Sequence, residues 1–138
     1  MDDLYRFLNS LISKPFVWGE CDCMIVLADW VKVVHGFDPA IDLRYTYDSA
    51  PSCQRATGYF TDPVATVARF AEDIARLPRT DKPVKGDIGV VEVPTDGKLQ
   101  LAGAIFTGKS WAIKAPQGAT TMIPYSVAAA WSVGYVQN

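Results

Sequence analysis

The sequence predicts an α+β domain, with helices in its first half and an antiparallel sheet in its second. Three observations carry this. Apolar residues recur at helical spacing from Leu4 to Ile12 and again through residues 23–34. Asp62-Pro63 is a helix-start signal followed by another apolar stripe. After Pro83 the pattern changes to short β-rich runs broken by Asp96-Gly97 and Pro116-Gln117-Gly118. Helices first and a meander after give segregated α and β layers.

The first helix is expected over residues 3–12, with Leu4, Leu8, Leu11 and Ile12 on one face and Asp2 or Asp3 at its start. The second covers residues 23–34. Only Asp29 and Lys32 interrupt its apolar surface, so protein should surround it on nearly all sides. Gly36 ends it, with Asp38-Pro39 beyond. Residues 37–47 read as loop and 49–59 as a short helix. In the third long helix Asp62 is the cap and Pro63 the first residue. Val64, Val67, Ala71 and Ile74 mark its buried stripe, and it ends before Pro78.

Strands are expected over residues 86–93, 99–106, 110–115 and 119–123. Asp96-Gly97 supplies the hairpin turn between the first two. A brief helical piece is expected at 126–129 and a last strand at 131–136. No repeat, linker or low-complexity stretch divides the chain, so residues 1–138 read as one domain.

Composition narrows the function classes. The chain has 138 residues, 49% hydrophobic and 20% charged, and a net charge of -2, with no dense Lys/Arg block. That disfavours a nucleic-acid partner. The longest apolar run is too short and too charged to span a bilayer. The start, Met1-Asp2-Asp3, is acidic where a signal peptide is basic, so synthesis and residence in the cytoplasm are expected before any delivery elsewhere. Three cysteines and one histidine do not make a disulfide framework or a four-ligand zinc site. No metal and no cofactor is expected.

The informative segment is Phe16-Val17-Trp18-Gly19-Glu20-Cys21-Asp22-Cys23, which runs straight into the second helix. A thiol at a helix N-terminus meets the positive end of the dipole and free N–H groups, both of which favour thiolate. Gly19 permits a tight turn, Trp18 can wall a cleft, and Arg44, Tyr45 and Tyr47 follow the helix as rim or packed loop. The bland alternative is that Cys23 simply packs, as buried cysteines often do. Trp30 and Phe70 read as core, and Trp111 and Trp131 as core or interface anchors.

These residues also carry a resemblance. Trp18-Gly19-x-x-Asp22-Cys23 before a hydrophobic helix resembles the active-site entry of NlpC-type, papain-like cell-wall peptidases. Gly86-Asp87-Ile88-Gly89-Val90-Val91 resembles that family's Gly-Asp-apolar strand, and Ala102-Gly103-Ala104-Ile105-Phe106 its following strand, which normally begins His-Val-Gly-Ile. The order holds over roughly residues 14 to 136. The Phe-x-Trp-Gly-x-x-Asp-Cys entry is shared with short NlpC-like proteins of phage and prophage tail modules.

The resemblance implies a papain-like fold, N-terminal helices on a C-terminal antiparallel sheet. It makes Cys23 the nucleophile, Asp22 the helix cap, and Trp18, Gly19 and Tyr45 the cleft. It places the family histidine on Ala102 and the third polar residue near Lys114, and neither can take that role. His35 does not substitute: twelve helical steps at about 1.5 Å put it about 18 Å from Cys23.

The expectation is therefore a degenerate NlpC-like domain, a structural or binding component at a virion tail tip. Its partners would be other tail proteins and peptidoglycan. The competing readings are an active cysteine peptidase with a non-histidine base, and a redox protein using Cys21-x-Cys23. The absent histidine disfavours the first, and the lack of a Cys-x-x-Cys thioredoxin-like pattern disfavours the second.

Overall fold

The structure, a computed structural model, describes residues 2–137. Helix α1 (Asp3–Ser13) starts where Asp2 Oδ1 accepts the Leu4 N–H at 3.0 Å. It buries Leu4, Phe7 and Leu11. Ile12, expected on the buried face, is exposed, because Phe7 rather than Ile12 completes the stripe.

Helix α2 (Ile25–His35) is the centre of the molecule. Met24, Ile25, Val26, Leu27, Ala28, Trp30 and Val31 are all buried. Trp30 Nε1 donates to the Gly86 carbonyl at 2.7 Å, so one of the two largest core side chains also ties α2 to the start of the sheet. Gly36 ends the helix in the left-handed region at φ 82, its N–H on the Lys32 carbonyl. In the loop that follows, Arg44 bridges Asp29 of α2 (2.6 Å) and Asp38 (2.5 Å), which holds residues 37–47 against the helix.

Helix α3 (Ala50–Thr57) has a capping box between Ser49 and Ser52 and ends at Gly58. Helix α4 (Pro63–Ala68), capped by Asp62, passes into a π-helical stretch, Arg69–Ile74. The wider π turn shifts the helical phase. Phe70 and Ala71 stay buried while Ile74, expected in the stripe, is half-exposed.

Strands β1 (Ile88–Thr95), β2 (Lys98–Phe106), β3 (Trp111–Ala115), β4 (Gly118–Met122) and β5 (Ser126–Trp131) form one antiparallel sheet in the order β4-β3-β2-β1-β5. Asp96 and Gly97 both have positive φ (52 and 78) in the β1–β2 turn, the signature of a type I′ hairpin. The fold is thus α+β.

The last part of the chain departs from expectation. Residues 126–129 are strand, not helix, and residues 132–136 lie outside any strand. The Ser126-Val127-Ala128-Ala129-Ala130 run has local helix preference, but the open edge of β1 takes it as a ladder partner, with a bulge at Val90/Val91.

One sheet face carries the helices. On the opposite face Val91, Val93, Ala104, Trp111, Ile113 and Ala130 form a second, smaller cluster. No helix among the described residues is long and apolar enough to cross a membrane.

The two ends of the chain meet at Asp2. Its carboxylate contacts Lys85 Nζ and the Tyr135 hydroxyl, and Tyr135 also accepts the Leu4 N–H at 3.3 Å. Burial pushes the Asp2 carboxyl up, but hydrogen bonds from Lys85, Tyr135 and Leu4 outweigh it and leave the carboxyl below its ordinary 3.8. A depressed carboxyl stabilises the fold fully above its unfolded value and loses that contribution as pH falls through the folded one. Asp2→Asn should therefore be less stable than wild type at neutral pH, with the gap closing below pH 3.8. Urea midpoints across that range check this. A gap that stays constant into strong acid would show that the Asp2 charge is not what matters.

Candidate functional site

The site begins with a turn. Val17 and Cys21 exchange backbone hydrogen bonds (3.0 and 2.7 Å), and Gly19 between them has φ +82. A Cβ on Gly19 would strike the Tyr47 carbonyl, so the turn seats on the 37–47 loop only because it has no side chain there. The Tyr45 N–H donates to the Gly19 carbonyl at 3.1 Å, which fixes the two loops together.

Asp22 clamps this arrangement. It is 1% exposed, yet both carboxylate oxygens are filled. Oδ1 accepts the N–H groups of Met24 (3.0 Å) and Ile25 (2.8 Å), donors that the first turn of a helix leaves free. Oδ2 accepts the Gly19 N–H (2.9 Å) and the Tyr47 hydroxyl (2.8 Å). One side chain thus caps α2, closes the preceding turn and anchors the following loop. With its acceptor sites occupied, it has none to spare for the neighbouring thiol.

Cys23 lies two residues before the first residue of α2. Its Sγ is 3.2 Å from the Tyr59 hydroxyl, which also accepts the Gly103 N–H at 3.1 Å. A phenol has one proton. With the Gly103 N–H donating to its oxygen, the Tyr59 proton is directed to the sulfur.

Burial pushes the Cys23 thiol up to about 12, with the Asp22 charge adding to it; the hydrogen bonds of Tyr59 and Gly103 oppose the rise without cancelling it. Burial, with the Cys23 charge adding to it, holds the Tyr59 phenol well above its ordinary 10. At neutral pH both groups keep their protons, so Tyr59 is not a base for Cys23. Dipole and free N–H groups at a helix start favour thiolate in general. Here Asp22 takes the N–H groups and burial dominates.

The strand facing Cys23 is β2, but the facing residue is not Ala102. Ala102 packs on the second cluster, across the sheet from the helices. Its neighbour Gly103 faces α2, and a Cβ there would lie 2.6 Å from the Cys23 carbonyl and 2.9 Å from the Leu27 side chain. Alternation puts Leu101 next on that face. The position opposite the thiol therefore has room for a hydrogen atom, not an imidazole.

Lys114 also departs from the role expected at its position. It is buried, and its Nζ donates to the Leu11 carbonyl at 2.6 Å and to the Lys14 carbonyl, which caps the C-terminal end of α1. His35 bonds the Val133 carbonyl at 2.6 Å through Nε2, at the far end of α2.

Trp18 is half-buried in an aromatic row at the mouth of this region, 4.9 Å from Phe16 and 5.9 Å from Phe60 between ring centres. Phe60 in turn meets Tyr59 at 5.3 Å. Tyr45, with φ 61, projects into solvent at 77% exposure, while Tyr47 turns inward to Asp22. Cys53 is buried and sits 3.6 Å from Thr57 Oγ1; burial raises its thiol, and that of the half-buried Cys21 as well. No group of three or more His, Cys, Asp or Glu suited to a metal ion occurs among the described residues.

Sequence reasoning missed Tyr59 and Gly103, and nothing local to either marks it. Tyr59 lies 36 residues from Cys23, just past the end of α3, and only the tertiary fold brings its hydroxyl to the sulfur.

Tyr59→Phe tests the cluster. It strips Gly103 of its acceptor and Cys23 of its donor, at a cost of about 1–3 kcal/mol. It should also raise the thiol further, since the lost bond favoured thiolate. Urea unfolding and the pH profile of alkylation read the two effects. Faster alkylation in a fully folded Tyr59→Phe protein would contradict the assignment.

Fold and site together define an α+β domain built around a half-buried helix-start thiol flanked by a tyrosine and a strand glycine. The chain belongs to the family described as Domain of unknown function (DUF6950), whose model matches residues 1–133. No curated protein and no solved structure matches it.

Proposed function

We propose that this chain is a non-catalytic, papain-like module of the NlpC type that serves as a structural or binding component, with a phage tail tip as its setting. One observation carries the loss of catalysis. Cys23 stands at a helix start against an antiparallel strand, as a cysteine nucleophile would. Where a base belongs there is Gly103, with no space for a side chain, and the sulfur is held by a protonated tyrosine. Attack of a thiol on an amide needs a base for its proton and an acid for the leaving amine.

The NlpC assignment is supported by the entry Phe16-Val17-Trp18-Gly19-Glu20-Cys21-Asp22-Cys23 and by the order of helix, Gly-Asp strand and following strand. The tail-tip setting is supported by the likeness of that entry to short tail-module proteins.

The chemistry is tested by incubating the protein with peptidoglycan fragments at neutral pH. Loss of a base alone lowers the rate by about 10²–10⁴-fold, so no turnover above background is expected. Cleavage that disappears in Cys23→Ser would establish an active peptidase instead. The setting is tested separately by mass spectrometry of purified virions. Absence of the chain from particles, with monomer only in the lysate, would remove the tail-component reading.

A further inference from the structure

A second surface stands apart from Cys23. Strand β4 is the last strand at one side of the sheet, and α1 runs beside it. Between them lies a cleft of about 460 Å³, within the range of sites that hold a ligand. One wall is a single face of α1, formed by Tyr5, Leu8, Asn9 and Ile12 at helical spacing. The other is Ala119, Thr120 and Thr121 of β4.

The edge of β4 is open in a definite pattern. Two residues, Pro116 and Gln117, join β3 to β4, and Ala115 pairs with Gly118. In such a hairpin the flanking pair is hydrogen-bonded and the pattern alternates. Ile113–Thr120 and Trp111–Met122 are then bonded pairs, while Ala119 and Thr121 direct their N–H and C=O groups away from β3. Among the described residues no other strand pairs with β4. The strand itself, Gly118-Ala119-Thr120-Thr121-Met122, has no charge, no proline and no bulge to block pairing.

Charge selects the occupant. The chain has 15 acidic residues, yet none lines the cleft. Its only charged lining residue is Lys109, which has no ion-pair partner among the described residues. Lys109 lies by the Met122 end of β4, because Ser110 leads into Trp111, the partner of Met122. The nearby acidic groups are engaged elsewhere, Asp2 by Lys85 and Asp3 by Arg6. A second copy pairing β4 to β4 brings only an uncharged strand and would leave Lys109 without a counter-charge.

The geometry points to an extended peptide segment of another protein as the occupant, added as a sixth strand on β4. Its alternate apolar side chains enter the cleft against Leu8 and Ile12, and an Asp or Glu near one end meets Lys109. Main-chain bonds to Ala119 and Thr121 supply affinity, and the cleft and Lys109 supply selection.

The test uses the whole protein, labelled with ¹⁵N, and two synthetic peptides, acetyl-Val-Thr-Val-Thr-Glu-Thr-amide, in which the acid shares the face of the valines, and the same peptide with Lys in place of Glu. The Glu peptide should bind at least about tenfold more tightly, as one well-placed charge contact allows. Shift changes should centre on the amides of Ala119, Thr121 and the Tyr5–Ile12 face of α1. N-methylation of alternate peptide nitrogens should abolish the complex, and Lys109→Glu should reverse the preference. Cys23→Ser should change none of this, which separates the proposal from the reading of the thiol site. Three results would overturn it: no saturable binding by either peptide, binding indifferent to N-methylation, or β4 shifts that instead track concentration of the protein alone and so report a dimer.

Discussion

Iodoacetamide is expected to modify Cys23 at neutral pH about 10²-fold more slowly than it modifies an ordinary free cysteine. The thiol is pushed up to about 12 by burial, against an ordinary value of about 8.5. At pH 7.4 that lowers the thiolate population by roughly 3 × 10³. A more basic thiolate is a better nucleophile, which restores part of the rate and leaves a net loss of about 10²-fold. Peptide mapping of the alkylated protein separates Cys23 from Cys21, both half-buried, and from the buried Cys53. The rate should keep rising with pH well past 9, with no plateau near neutrality. A Cys23 rate equal to that of a free thiol at pH 7.4 would mean that the site activates the sulfur, and the peptidase reading would return.

Asp22→Ala should be the most damaging single substitution near the site. It removes the acceptor for four donors at once: the N–H groups of Gly19, Met24 and Ile25 and the Tyr47 hydroxyl. Each buried donor left without a partner costs about 1–3 kcal/mol. The four share one small space, where water can enter the cavity left behind, so the sum is smaller than four independent terms. A loss of about 3–5 kcal/mol is expected, a large part of the 5–15 kcal/mol that holds a domain folded. The melting temperature should fall by about 10 °C or more. Asp22→Asn keeps one acceptor oxygen and should lose about half as much. Cys23→Ser, which changes one atom and no backbone bond, serves as the comparison. If Asp22→Ala melted with Cys23→Ser, the clamp would be a description of geometry and not of stability.

The two experiments separate the roles of adjacent residues. Asp22 acts on the backbone, since its partners are three N–H groups and one distant phenol. Cys23 acts, if at all, through its sulfur, and the surroundings of that sulfur hold its proton in place. An active thiol site needs the opposite arrangement, with free helix-start donors near the sulfur and a base beside it.

Much of this protein was legible in its sequence, because many of its signals are local. Asp62-Pro63 starts a helix by capping chemistry within four residues, Gly36 ends one by its backbone freedom, and Asp96-Gly97 turns a hairpin because both residues tolerate positive φ. The apolar surface of residues 24–31 marks α2 as central from composition alone.

Other features depended on partners remote in the chain. Ser126–Trp131 became strand because β1 had an open edge, whatever its alanines prefer by themselves. The phase of the segment after Pro63 shifted through a π-helical stretch that periodicity does not register, and Ile74 moved outward. The strand beside Cys23 is recognisable from sequence, but its facing residue is Gly103 rather than Ala102. Successive residues of a strand point to opposite faces, so a shift of one position exchanges the two sides of the sheet. Only the packing of α2 on β2 selects between them. The same packing brings Tyr59 across 36 residues to the sulfur of Cys23, and so decides whether that thiol is exposed to chemistry or closed against it.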